Sequence, residues 1–162
     1  METLIFRQFQ PGDETAFWEL NEVWIRKIFS IEPKDIEVLR LPVEHIIEPG
    51  GEIVMALLDG RTIGCCALLP HGPATLEIGK MAVAEELRGK GIGRKLLAHM
   101  IARGWELGAG RLYIETSTKL PNAVHLYESC GFRHLPPERV QPSPYARSNV
   151  YMELLRPLTS RM

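Results

Sequence analysis

Residues 88–93 read Arg-Gly-Lys-Gly-Ile-Gly, between an apolar run (Ile78, Met81, Ala82, Val83) and residues at helical spacing (Leu96, Leu97, Met100, Ile101). Glycines at alternate positions (Gly89, Gly91, Gly93) remove the Cβ atoms that would hold a ligand off the backbone, and they allow positive φ where the chain turns. Main-chain N–H groups then converge where a helix begins, so its unpaired first-turn donors and its positive dipole end point the same way. Arg88, Lys90, Arg94 and Lys95 add charge. The loop is therefore expected to hold a diphosphate. Two other phosphate-binding patterns fail on these residues: no Gly-Lys pair is followed by Ser or Thr, as a Walker loop requires. A dinucleotide fingerprint started at Gly89 meets Arg94 at its third glycine position, and one started at Gly91 meets Leu96.

Two charged residues stand out in the apolar run before the loop. Glu77 and Lys80 lie on a stretch, Leu76 to Val83, that reads as a central strand. A glutamate there is out of place unless it faces a cleft, where carboxyl pKa values are often raised; the other reading is a structural carboxylate at the sheet rim. On a regular strand residues three apart face opposite sides, so Glu77 and Lys80 are not expected to meet unless a bulge intervenes.

The elements that must position these residues follow an α/β order. Leu4 to Phe9 alternates like a strand, and Pro11-Gly12-Asp13 is expected to cap a helix carrying Phe17, Leu20, Trp24 and Ile28. Pro33 opens a second, short helix. Ile53–Leu58 and Thr62–Leu69 read as strands joined at Asp59-Gly60, a strong hairpin signal. The helix after the glycine loop runs to about Gly108. Leu112–Thr116 reads as a strand, Pro121 to Phe132 as a short helix stopped by glycine, Pro136 to Pro144 as a long hairpin loop, and Asn149 to Leu154 as the last strand.

Arg88-x-x-Gly91-x-Gly93 between a strand and a helix, followed by Asn122, Leu126-Tyr127 and Gly131-Phe132 on a helix after the next strand, resembles the two signatures of the GNAT superfamily of acyl-CoA-dependent N-acyltransferases. The resemblance is close over residues 74–135 and extends to the rest only by pattern. It implies a mixed α/β fold: a mostly antiparallel, twisted sheet flanked by helices and splayed between its fourth and fifth strands to admit the pantetheine arm.

An acyl thioester and an amine set the chemistry. A primary amine of pKa about 10.4 is mostly ammonium at neutral pH and must lose a proton before attack. The leaving thiolate needs a hydrogen-bond donor, and the carbonyl needs fixed N–H groups as it becomes an oxyanion. The resemblance implies Tyr127 as the acid near the sulfur, and the main chain of Met81, Ala82 and Val83 as the seat of thioester and pantetheine. It gives Arg88, Gly89, Lys90, Gly91, Ile92, Gly93 and Arg94 to the pyrophosphate, while Asn122 either caps its helix or bonds the pantetheine. Glu77 is the implied base, working through water, with Glu115 or water alone as substitutes. Cys130 follows Tyr127 by about one helical turn, but no paired histidine signature accompanies it, so it is expected to pack and not to carry the acyl group. The reading is thus an N-acetyltransferase using acetyl-CoA, with direct attack by an amine and no metal. A small-molecule amine is favoured over a protein lysine or N-terminus, and the rival of another class is a coenzyme A-binding sensor without turnover.

Composition bounds the same picture. The 162 residues are of single-domain length, so residues 1–162 are expected to form one domain, able to bury about 70% of its unfolded surface. No apolar run approaches the roughly 20 residues of a bilayer span, and the start lacks a signal peptide's pattern; a cytoplasmic protein is expected. Cys65, Cys66 and Cys130 have no metal spacing and read as reduced thiols, buried for the first two. Residues 1–60 carry 12 acidic and 5 basic side chains, residues 61–162 carry 8 and 14. The basic part suits a polyanionic cofactor. No basic run with interleaved aromatics points to nucleic acid. By resemblance the acceptor lies between residues 17–47 and 136–148. There Glu22, Glu32 and Glu37 favour a cation, Tyr145, Arg147 and Arg139 favour a carboxylate, and Glu14, Glu19, Glu22, Glu32, Asp35 and Glu37 are alternatively the wet faces of two helices. Phe17, Trp18, Trp24 and Phe29 read as core before pocket wall. A homodimer through an exposed sheet edge is compatible with the sequence, though no residue establishes one.

Overall fold

The structure is a computed structural model and describes residues 2–158. Strands β1 (Leu4–Gln8), β2 (Glu52–Leu58), β3 (Arg61–Pro70), β4 (Thr75–Val83), β5 (Arg111–Thr116), β6 (Arg133–His134) and β7 (Val150–Leu155) form one sheet in the order β1-β2-β3-β4-β5-β7-β6. Helices α1 (Glu14–Ile28), α2 (Pro33–Arg40), α3 (Ile92–Glu106) and α4 (Pro121–Ser129) flank it. Every neighbouring pair is antiparallel except β4–β5. This is the mixed α/β sheet expected from the sequence. Asp59 (φ 50°) and Gly60 (φ 82°) both adopt positive φ, which matches the twist of the β2–β3 hairpin.

Period-two alternation in the strands feeds two cores on opposite faces. Ile53 and Met55 of β2 and Cys65 of β3 pack with Phe17, Ile25 and Leu39 of the α1–α2 layer. Val54 and Cys66 pack on the other face with Leu96, Leu97 and Met100 of α3, Tyr127 of α4, and Leu112 and Ile114 of β5. Burying a side chain such as Leu97 in full is worth about 2 kcal/mol. Gly104 lets α3 lie directly on β5, since a Cβ there would fall 2.7 Å from Leu112 Cδ2.

Two departures from regular pairing make the site. β4 and β5 pair only at Thr75–Arg111, Leu76–Leu112 and Glu77–Tyr113, although β4 continues to Val83 and β5 to Thr116. Beyond Glu77 the strands part, while β4 stays on β3. That second ladder carries a bulge: Ala67 pairs with Gly79 and Cys65 with Ala82, so Lys80 and Met81 together stand opposite Cys66. Lys80 has φ 54°, a left-handed conformation that costs a residue with a Cβ about 1–2 kcal/mol.

Some local expectations give way. Asp13 does not cap α1: its carboxylate turns back to accept from Arg7 (2.7 Å) and the Gln10 N–H (2.8 Å). β6 is a strand that the sequence pattern misses, because two residues carry no periodicity. The proline-rich connection between β6 and β7 is the expected long loop, with one turn of 3-10 helix at Pro137–Arg139.

That loop is anchored at Glu153 of β7, which accepts from Arg139 (2.6 and 2.8 Å) and from Arg111 of β5 (2.6 Å). Hydrogen bonds from Arg139 first, then Arg111, hold the Glu153 carboxyl at about 2. A depressed carboxyl contributes stability above its ordinary pKa and loses it as pH falls toward the folded value. Glu153→Gln is therefore expected to cost about 1–2 kcal/mol at pH 7, discounted for the exposure of Arg139, and only a small remainder of that at pH 2, where the folded carboxyl is half protonated. Urea unfolding of both proteins at the two pH values checks this.

Candidate active site

The glycine loop lies at the end of the opened strand. Gly89 and Gly91 have φ near 80°, and Gly91 is the residue on which α3 begins. A Cβ at Gly89, Gly91 or Gly93 would meet nothing within 4 Å, so the space above the loop is open. Arg88 and Lys90 are exposed beside it, and Ile92 is buried beneath. Arg94 turns aside, donating to Ser129 Oγ (3.0 Å) and Cys130 Sγ (3.7 Å), and so ties the start of α3 to the end of α4. Met81, Ala82 and Val83 occupy the stretch of β4 that β5 has left.

Tyr127 is buried on α4, in the cluster that also holds Cys66, Ile78 and Ile114, with its ring 6.2 Å from that of Phe132. Burial, with the Cys66 thiol adding, pushes its hydroxyl well above the ordinary phenol range. Asn122 is exposed in the first turn of α4 and makes no cap; Leu120 precedes the helix and Pro121 opens it. Of its two readings, capping is removed.

The bulge puts Glu77 and Lys80 on the same side of the sheet, contrary to the regular-strand expectation. Glu77 Oε1 stands 3.6 Å from His71 Nδ1, and the His71 ring stacks on Tyr113 at 4.1 Å and 15°. Tyr113 donates to Glu115 (3.0 Å), which also accepts from Ser143 (2.5 Å). Lys80 Nζ donates to the Tyr145 hydroxyl (2.6 Å) and lies 3.8 Å from Asp35. Arg147 grips Asp35 with both Nη atoms (2.8 and 2.6 Å), its guanidinium 4.5 Å from the Tyr145 ring centroid. Burial pushes the Lys80 ammonium down to about 8, against the pull of Asp35. Burial works against the Asp35 carboxylate too, but Arg147 holds it below its usual range.

The structure thus sorts the acceptor-side expectations. Asp35 is fully buried, so the wet-face reading fails for it. Glu22 and Glu37 pair on the surface with Arg26 and Lys34, and Arg139 is engaged by Glu153, leaving these three away from the cluster. Glu32 joins it, accepting from the Ala146 N–H (2.9 Å). Phe17 and Trp18 are core, whereas Trp24 and Phe29 stand half-buried near Arg147. His71, Tyr113, Ser143 and Asp35 were not singled out individually by sequence reading; the one signal toward them was a lysine misplaced on a central strand.

A glycine loop at the start of α3 is thus joined by an opened strand to a group of carboxylates and cations. Residues 14–132 match the acetyltransferase (GNAT) family, and the chain belongs to it: it is an acyltransferase of the N-acetyltransferase type. The N-acetyltransferase YvbK of Bacillus subtilis is 33% identical over 126 residues, 78% of this chain and 74% of that protein; two further curated relatives are matched over about half their own length. A GNAT acetyltransferase structure from Staphylococcus aureus superposes with a TM-score of 0.83 at 19% identity, covering 93% of this chain and 98% of that one. A Bacillus subtilis acetyltransferase solved with CoA gives 0.72 at 24%, covering 95% and 99%. The open, Cβ-free cradle at Gly89 and Gly91 fits such a cosubstrate.

Asp35 is the anion between two buried cations, and removing one partner of a buried pair leaves the others uncompensated. Asp35→Asn is expected to cost about 3–5 kcal/mol in urea unfolding, whereas Glu37→Gln on the exposed face of α2 shifts stability by less than about 0.5 kcal/mol.

Proposed function

We propose that the chain transfers the acetyl group of acetyl-CoA to a small-molecule amine by direct attack, in the cytoplasm and as a single domain. The observation that carries the reading is the parting of β4 and β5 beyond Glu77, which joins the glycine cradle to the Glu77–Lys80 group. Acetyl-CoA supplies the activated thioester. In this proposal the backbone of Gly89–Gly93 and the start of α3, with Arg88 and Lys90, hold the pyrophosphate. The main-chain N–H groups of Met81 and Val83 receive the thioester carbonyl and the pantetheine, and Asn122 bonds the same arm. Fixed backbone donors stabilise a developing oxyanion without reorganising.

Glu77, partly exposed and beside His71, takes the amine's proton through water. Tyr127 acts at the leaving sulfur. Burial keeps its hydroxyl in the neutral form, so it remains a hydrogen-bond donor to the departing thiolate throughout the working pH range.

Two variants separate cofactor binding from chemistry. Tyr127→Phe is expected to lower kcat by about tenfold or more while acetyl-CoA Kd stays within about twofold; unchanged turnover would remove Tyr127 from the reaction. Gly91→Val places a branched side chain at φ 80° and on the open side of the loop. A folded variant, verified by its thermal melt, is expected to bind acetyl-CoA at least about tenfold more weakly, and normal binding by calorimetry would contradict the cradle assignment.

A further inference from the structure

Two carboxylates stand beside the β4–β5 gap, and they are held differently. Glu115 has both oxygens engaged: Oε2 accepts from the Tyr113 hydroxyl at 3.0 Å and Oε1 from Ser143 at 2.5 Å. Glu77 is held by charge alone, and among the described residues its one ion-pair partner is His71. Its two oxygens face different ways. Oε1 lies 3.6 Å from His71 Nδ1, too long for a hydrogen bond but within ion-pair range. Oε2 points along β4, 3.7 Å from where a Cβ of Gly79 would stand. Gly79 follows Glu77, the last β4 residue paired with β5, and its missing side chain keeps that oxygen clear on the side of the gap. His71 is itself fixed from two directions. Its N–H donates to the Thr75 carbonyl (3.1 Å) in the β3–β4 turn, and its ring stacks on Tyr113 at 4.1 Å and 15°. Arg111 approaches the same tyrosine ring at 5.3 Å. The His71 and Glu77 side chains are 31% and 24% exposed, so their contact is no part of the buried core.

Resting on the reading of Glu77 as the base, we propose that His71 is a positioning residue for it: the fixed imidazole draws Oε1 and so keeps Oε2 turned toward the amine at the gap. A glutamate side chain has several rotatable bonds, and a general base works only when it is held within reach of the proton it takes. A charged imidazole attracts the carboxylate directly, and a neutral one with its proton on Nδ1 presents a donor to the same oxygen. Both forms therefore aim Oε2 the same way. The stack on Tyr113 supplies the rigidity, and Glu115 holds the Tyr113 hydroxyl. In this proposal Glu115 serves the base at one remove: the chain Ser143–Glu115–Tyr113–His71 ties the loop before β7 to the orientation of Glu77.

The test is a double-mutant cycle in thiol release from acetyl-CoA, run with the amine that turns over fastest in a panel of amino acids, polyamines and lysine peptides. Glu77→Gln is expected to lower kcat by about a hundredfold. His71→Phe keeps a ring to stack on Tyr113 and removes the nitrogen. It is expected to lower kcat about tenfold, with KM and acetyl-CoA Kd within about twofold, and to cost less than about twofold when added to Glu77→Gln. His71→Asn, whose amide nitrogen takes the place of Nδ1, is expected to return kcat to within about threefold of wild type. A merely structural histidine would cost the same in both backgrounds. Unchanged turnover in His71→Phe, or an equal loss with and without the Glu77 carboxylate, would overturn the positioning role while leaving the acetyltransferase reading and its base standing. Unchanged turnover in Glu77→Gln would overturn the base and this inference together, and no thiol release with any amine would overturn the acetyltransferase reading as well. Thermal melts verify the variants. If His71→Phe does not fold, His71→Ala with added imidazole takes its place, and recovery of turnover only where Glu77 is present is the expected result.

Discussion

The bulge at Lys80 is the constraint on which the site depends. One extra residue in β4 lets the strand stay hydrogen-bonded to β3 while it leaves β5 after Glu77. The same insertion shifts the phase of side chains along β4, so that Glu77 and Lys80 share a side that regular alternation would have denied them. A left-handed lysine persists because its surroundings over-determine it. Its ammonium is held by Tyr145 and drawn by Asp35, and the strand on either side is locked into the sheet.

From that bulge the two halves of the site follow. On the α3–α4 side, the opened strand runs toward the glycine cradle, with Tyr127 buried beneath it in the apolar cluster. On the α1–α2 side, the Asp35–Arg147 pair fastens the long loop before β7 to α2, while Glu153 fastens its beginning to β5. The loop is thus clamped at both ends by charge pairs, the Asp35–Arg147 pair buried and the Arg139–Glu153 pair half-exposed. Fixed groups of this kind hold a reacting pair in place without reorganising, which is how enzymes of any fold gain rate.

Much of this was legible in the sequence. The loop at 88–93 and the Asn122–Phe132 helix identified the family and the fold, because glycine spacing and a helix start have a direct physical meaning for phosphate. The Asp59-Gly60 hairpin and the two-faced strands were readable for the same reason. What stayed hidden depends on contacts between distant segments. Nothing in α2 marks Asp35 as buried until Arg147 arrives from more than a hundred residues away. A bulge leaves no periodic trace, so Glu77 and Lys80 read as facing apart. Asp13 showed a capping residue's chemistry and a capping position, yet the Arg7 guanidinium on β1 offered a stronger partner than the helix N–H groups.

In the proposed reaction the gap between β4 and β5, with the glycine loop at its mouth, receives the acyl-pantetheine of acetyl-CoA. Amide hydrogen exchange of the protein, with and without acetyl-CoA, followed by mass spectrometry, tests it most directly. Added protection is expected only at residues 79–83, at the loop and first turn of α3 (88–94) and at the start of α4. Protection absent from residues 79–94, or confined to the far edge at β1 and β2, would contradict it.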